Sequence, residues 1–275
     1  MENRNRRKVA DGGKPAYSFK SSPRRPEKAD MVIGFRAVLE ALRAGKSVDR
    51  LLVQRDLNSS TVLQEIMEVV RERGLPLQKV PAEKLDRLTA KNHQGVILFI
   101  ASVEYASLHN VLSGIFERGE TPLLLVLDRV TDVRNFGAIA RTAECAGVHA
   151  LVVPSRGGAQ INSDAMKTSA GALTLLPVCR EDDLRNTLRY LRESGLQIVA
   201  CTEKTNNSLY TTDLSGPMAL VMGSEEDGVA DELIRWADHL VRIPLNGQIS
   251  SLNVSVAAGV AIYEALRQRL AAAGS

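Results

Sequence analysis

From residue 121 onward, short unbroken apolar runs alternate with helical stretches, and this alternation constrains the fold more than any other feature of the chain. The runs are Leu123–Leu127, Ala150–Val153, Leu175–Val178, Gln197–Cys201, Ala219–Met222 and Leu240–Ile243. The helical stretches are 136–146, 183–194, 229–238 and 253–270. In the second of these, Leu184, Leu188 and Leu191 fall at i, i+4 and i+7, one face of a helix. Strands apolar on both faces must be covered on both faces, which predicts a mostly parallel sheet between helical layers. Ligands of such sheets bind beyond the carboxyl ends of the strands, so the chemistry is expected in loops just after strands.

The preceding stretch, about Val32 to Val103, has its own alternation. Phe35, Val38, Leu39 and Leu42 form a helical stripe that Gly45 stops. Leu51–Val53 reads as a strand. Val62, Ile66, Val69 and Val70 mark a helix ended at Gly74, and Leu77–Val80 is a weak strand. Pro81 opens a third helix, where a missing N–H does no harm, and Val96–Val103 is the strongest strand of the group. The chain therefore divides into a basic tail (1–30), a small α/β domain (31–104), a linker with some helix (105–120) and a larger α/β domain (121–275). A length of 275 residues accommodates two such domains.

Charge and composition narrow the class. The net charge of +3 hides a tail that holds nine Lys/Arg against four Asp/Glu, so the rest is slightly acidic. Such a tail is expected to be disordered, either as a solubilising extension or as an arm drawn to nucleic-acid phosphates. No apolar run approaches the ~20 residues of a membrane span, and no secretory h-region is seen. Cys145, Cys179 and Cys201 lack CxxC spacing and form no disulfide framework, which suits a reduced cytoplasmic protein.

Three segments carry candidate chemistry. In 127–147 a strand runs into a polar loop and then a helix beginning near Asn135, which sits where an N-cap is wanted. Arg141 lies on a helix of mostly small or apolar residues, about 240° around the wheel from Asn135, and pairs at i, i+3 with Glu144 if it is merely a surface group. In 218–229 a strand enters Gly223-Ser224-Glu225, where Gly223 allows a ligand to approach the backbone closely. In 242–270 a strand ending at Ile243-Pro244 leads to Ser250-Ser251-Leu252-Asn253, more helix caps than one helix needs. The helix that follows is lined with Ala257, Ala258, Gly259 and Ala261. There is no GxGxxG, no GxxxxGK[ST], no nucleophile elbow and no metal-ligand cluster among His93, His109, His149 and His239.

Taken together, Asn135-Phe136-Gly137 with Arg141, Met222-Gly223-Ser224-Glu225, and Ile243-Pro244 through Ser251-Leu252-Asn253 resemble the three ordered motifs of the SpoU/TrmH-type RNA ribose 2′-O-methyltransferases of the SPOUT class. The resemblance covers about residues 31–270. The front domain, with Gly34 near its start and His93-Gln94-Gly95 near its end, is similar to the ribosomal-protein-like substrate-binding domain of the bacterial 23S rRNA guanosine methyltransferases. The resemblance implies a deep trefoil knot threaded by the helix 253–270, a homodimer formed through the C-terminal domain, and S-adenosylmethionine as cofactor, with no metal and no membrane partner. It also implies that Asn135, Arg141, Glu225 and Asn253 are catalytic, while Cys201, Thr202, Met222, Gly223, Ile243, Ser251 and Leu252 hold the cofactor.

Family precedent casts Arg141 as the general base. A guanidinium stays protonated near neutrality, so holding the phosphate beside the target ribose suits it better, with Glu225 orienting it and Asn135 positioning the hydroxyl. Alternative readings are a tRNA 2′-O-methyltransferase, an antibiotic-resistance rRNA methyltransferase, or an RNA-binding protein that no longer transfers methyl groups.

Overall fold

A computed structural model describes residues 31–274, so the basic tail lies outside the described residues. β1 (Met31–Ile33) enters α1 (Phe35–Arg43) through Gly34, whose φ of 88° suits glycine. The Gln94 side chain accepts from the first helical N–H, that of Phe35, at 3.0 Å. β2 (Val48–Gln54), α2 (Thr61–Glu72), β3 (Leu77–Val80), α3 (Ala82–Leu88) and β4 (Val96–Ile100) follow. They build a four-stranded sheet in the order β1-β4-β2-β3, with only β2 and β3 parallel. The α1 stripe is buried as expected, Val38 and Leu42 packing with Ile66 and Val70 of α2. Pro81 is the N-cap of α3 rather than its first residue. The strand expected over Val96–Val103 stops at Ile100, where its pairing with Val48 ends.

The remaining elements are β5 (Tyr105–Ala106), α4 (Leu108–Glu117), β6 (Leu123–Leu127), α5 (Val133–Cys145), β7 (Ala150–Pro154), α6 (Ser163–Thr168), β8 (Val178–Glu181), α7 (Leu184–Glu193), β9 (Gln197–Cys201), β10 (Met218–Met222), α8 (Asp231–Ile234), β11 (His239–Val241) and α9 (Val254–Ala273). Seven strands form one sheet, ordered β11-β9-β10-β6-β7-β8-β5, and every neighbouring pair is parallel. The stretch 105–120, expected as a linker with some helix, supplies an edge strand and a covering helix. Leu123, Leu125 and Leu127 face α5 and α9, while Leu124 and Val126 face α4 and α7. All five are essentially inaccessible, which is why the run is apolar without alternation.

Three boundaries differ from the sequence reading. The strand expected at Leu175–Val178 begins only at Val178. Pro177 has no N–H to offer the ladder, although its carbonyl still accepts from Leu151, and Leu175 is 71% exposed. The helix expected over 229–238 is the single turn α8, because Asp238 turns back to bond both the N–H and the carbonyl of Ile198 at the start of β9. The strand expected at Leu240–Ile243 is His239–Val241. No helix among the described residues is long and apolar enough to cross a membrane.

Close packing of α5 on α6 explains one motif glycine. A methyl group on Gly137 would lie 2.7 Å from the Thr168 Cβ and 2.9 Å from the Ala165 carbonyl. Gly137→Ala is therefore expected to destabilise the protein by about 1–3 kcal/mol, read by urea unfolding. A midpoint equal to wild type would contradict this packing.

Candidate functional site

The chain runs outward from β6 through β7 to β8 in one direction, then returns to place β10 on the other side of β6. The reversal makes a switch point, and the loops after β6 and β10 meet over it. Their junction is fixed by Asp128, a buried carboxylate at the end of β6. Its N–H donates to the Met222 carbonyl at 2.8 Å, and its Oδ2 accepts from the Ala230 N–H at 2.8 Å. Arg129 follows with φ 54°, an unusual conformation for a side chain of this kind. Its guanidinium grips both Asp128 oxygens and donates to the Gly228 carbonyl at 3.1 Å and to Asp227 at 3.3 Å. The hydrogen bond to Asp128 raises the arginine pKa further above its usual value.

The second loop is a tight turn. Ser224 and Gly228 exchange both backbone hydrogen bonds, and the Ser224 hydroxyl accepts from the Asp227 N–H. A Cβ on Gly223 would fall within the main chain of Gly228 and Val229. The close approach at Gly223 is made by the protein's own turn. That turn projects Glu225 over the sheet edge.

Asp132, not Asn135, caps α5, accepting from the N–H groups of Arg134 and Asn135. Asn135 therefore sits within the first turn, its side chain free to point across the switch point. Its Nδ2 donates to Glu225 Oε1 at 2.8 Å. Asn253, which caps α9 through Oδ1, donates from Nδ2 to the same Oε1 at 2.8 Å and to Asn135 Oδ1 at 3.1 Å. Residues from three separate strand-end segments thus close one hydrogen-bonded ring. The ring borders a cavity of about 300 Å³ whose walls include Arg129, Thr131, Asn135, Gly157 and Glu225.

Arg141 does not join this ring. It is exposed on α5, and among the described residues its side chain has no hydrogen-bond or ion-pair partner. The orientation by Glu225 and the pairing with Glu144 are both absent. With Asn135 already helical, the 240° separation between the two positions is real and directs them differently.

Of the expected cofactor residues, Cys201, Met222 and Ile243 lie at or just beyond the ends of β9, β10 and β11, which are neighbours in the sheet. Thr202 is buried, its N–H bonded to Val241. Burial pushes the Cys201 thiol up to about 12, so it stays neutral near neutral pH. Ser251 and Leu252 lie in the exposed loop before α9. The sequence reading assigned nothing to Asp128 and Arg129. Their signal was a charged pair directly after a fully apolar strand. Among the described residues no cluster of His, Cys, Asp and Glu could hold a metal.

Comparison with known proteins follows the same division of the chain. Residues 122–263 match the model of the SpoU rRNA Methylase family, and residues 31–106 match that of the RNA 2′-O ribose methyltransferase substrate-binding domain. A 23S rRNA (guanosine-2′-O-)-methyltransferase RlmB of Photobacterium profundum is 35% identical over 242 residues, covering 87% of this chain and 98% of that one. Its Vibrio parahaemolyticus namesake is 39% identical over 211 residues, covering 76% and 85%. Among solved structures, the SpoU methyltransferase AviRb of Streptomyces viridochromogenes in complex with AdoMet superposes with a TM-score of 0.55 at 26% identity, covering 88% of this chain and 90% of that one.

Proposed function

The chain belongs to the SpoU rRNA methylase family and is an S-adenosylmethionine-dependent RNA ribose 2′-O-methyltransferase; we propose that its target is a guanosine of 23S rRNA and that the Asn135–Glu225–Asn253 ring is where the hydroxyl reacts. The observation that carries the site assignment is that ring, drawn from three strand ends and facing a cavity at the switch point.

Counting hydrogen-bond valences gives each residue a part. Both Nδ2 hydrogens of Asn253 are used, and Glu225 Oε1 accepts twice. What remains free is Glu225 Oε2, one Asn135 N–H and one lone pair on Asn135 Oδ1. A ribose 2′-hydroxyl can donate to Oε2, while the spare Asn135 N–H takes an oxygen of the ribose or its phosphate. Glu225 then holds and receives the hydroxyl proton, and the ring fixes its orientation before substrate arrives.

The loop after β11 fits the cofactor. Among the described residues the main-chain groups of Ile243 to Leu252 bond to nothing else in the protein, and Leu245, Ile249 and Leu252 are exposed. Free backbone donors and acceptors beside apolar side chains suit an adenosyl group. When bound, S-adenosylmethionine supplies the electrophilic methyl group. Ile243, Ser251 and Leu252, with the strand ends at Cys201, Thr202 and Met222, would hold it; Gly223 shapes the turn beneath.

Arg141, exposed and without a side-chain partner among the described residues, suits an anchor for RNA phosphate. Arg141→Ala is expected to raise KM for RNA about tenfold and to make the salt dependence of RNA binding shallower, leaving cofactor affinity unchanged. Unchanged KM and salt slope would remove Arg141 from RNA binding. The exposed Val256, Tyr263 and Leu270 along α9 support a homodimer through this domain, with α9 as the segment threaded through the trefoil knot. The deciding experiment incubates the protein with radiolabelled methyl donor and separate undermodified rRNA and tRNA pools. Label on a 23S guanosine ribose is expected, and label confined to tRNA would overturn the target.

A further inference from the structure

A second cavity, of about 280 Å³, opens where the two sheets meet. That is at the small end of ligand-sized pockets. Its floor is a hydrogen-bonded joint between the sheets. Arg180 of β8 reaches across to the front sheet, donating to the Val48 carbonyl at 2.7 Å and the Asp49 carbonyl at 3.1 Å, and lies 3.9 Å over the Tyr105 ring. Gln160 and the Tyr105 hydroxyl bond the two carboxylate oxygens of Asp49 at 3.3 and 3.4 Å.

The charge of this cavity is one-sided. Arg50, Lys79, Arg156 and Arg180 line it against the single carboxylate of Asp49, whose burial pushes its pKa above the usual range. Arg180 is occupied by the joint, but Lys79 and Arg156 are exposed, and among the described residues neither has a side-chain partner. One belongs to β3 of the front sheet and the other to the loop after β7 of the back sheet. The buried Arg50 Nε makes no hydrogen bond among the described residues, although it lies 3.9 Å from Asp49 Oδ2. Two cations from different sheets, neither with a side-chain partner among the described residues, suit a phosphodiester.

Position supplies the link to the reaction. Gly157 lines both this cavity and the one beside Asn135 and Glu225. Its φ is 81° and no atom of the described residues lies within 4 Å of where a side chain would stand, so the wall the two cavities share is open at this residue. We propose that the cleft between the sheets is a subsite for the RNA backbone, where Lys79 and Arg156 bind the phosphate of a nucleotide flanking the target while the target ribose lies at Asn135 and Glu225. The subsite makes the front sheet part of one continuous RNA track, and it rests on the reading of this protein as an RNA methyltransferase.

The test uses the full chain carrying Lys79→Gln and Arg156→Gln together, with undermodified 23S rRNA as substrate and a charge-matched control carrying Arg71→Gln and Lys84→Gln, both exposed and away from the cleft. The cleft variant is expected to show KM for RNA raised about tenfold and a salt slope reduced by about 0.7, the loss of one phosphate contact on a single strand. Its kcat and cofactor affinity should match wild type, and the control should stay within about twofold in KM. KM and slope equal to wild type would overturn the subsite while methyl transfer by the wild type upholds the enzymatic reading. Equal losses in both variants would show diffuse charge and also overturn it. Failure of the wild type to label any RNA would overturn the reading itself, and the subsite with it.

Discussion

Glu225→Gln is expected to lower kcat by about 10²- to 10⁴-fold, the usual contribution of a positioned proton acceptor, while cofactor affinity and KM for RNA change little. The variant separates two roles of one carboxylate. Oε1 takes both the Asn135 and Asn253 amides, and a glutamine carbonyl can keep those two bonds. Oε2 has no partner in the ring, and in the variant an amide N–H₂ stands in its place. The hydroxyl then meets a donor where it needs an acceptor, so geometry survives and chemistry does not. Asn135→Ala breaks the ring from the other side, freeing Glu225 to move, and should lower kcat less than Glu225→Gln while raising KM. Single-turnover transfer to 23S rRNA with saturating cofactor is the measurement. Wild-type turnover in Glu225→Gln would show that the free oxygen does not face the reacting hydroxyl.

The sequence made some of this site legible and hid the rest for physical reasons. Unbroken apolar strands announced a sheet covered on both faces, and strand-end loops announced where polar residues would gather. Asn135, Glu225 and Asn253 were readable because amides and a carboxylate at three strand ends have little structural purpose apart. Arg141, expected to be oriented by Glu225, makes no hydrogen bond with any of the three. Helix phase resolves its direction only once the start of α5 is known, and Asp132 moves that start by three residues from the expected cap. The crowding of Gly223 by its own turn was not legible, because a glycine beside a cleft looks the same in sequence whether a ligand or the chain itself comes close. Leu175 was read into a strand because apolarity alone does not show which edge a proline closes. The edge strand β5 is two residues long, too short for any periodicity to reveal.

The clamp of Asp128 and Arg129 explains why the ring can be fixed on two loops that are otherwise exposed. Loops are ordinarily the mobile part of an α/β enzyme. Here the buried Asp128 carboxylate spans the sheet seam between β6 and β10, and Arg129 accepts an unfavourable backbone conformation to hold the turn bearing Glu225. The strain and the hydrogen bonds at one residue are consistent with a site in which orientation, rather than acid strength, is the main demand.

That turn makes Gly223 the most crowded glycine among the described residues. Gly223→Ala is expected to cost about 3 kcal/mol or more, because the added methyl meets main chain, which cannot rotate aside as a side chain can. For a chain of this size the loss corresponds to a melting temperature lower by roughly 6–12 °C. Gly216 is the control. Nothing lies within 4 Å of its missing side chain and its φ is not in the left-handed region, so Gly216→Ala should be neutral or slightly stabilising. Both variants are to be melted without cofactor. If the bare α-hydrogen at 223 served only to admit a ligand, the free protein would not notice the methyl group and both melting curves would overlay wild type. A drop at 223 alone, present before any ligand is added, places the requirement in the Ser224–Gly228 turn. The same variant should then lose turnover through a displaced Glu225, even at temperatures where it remains folded.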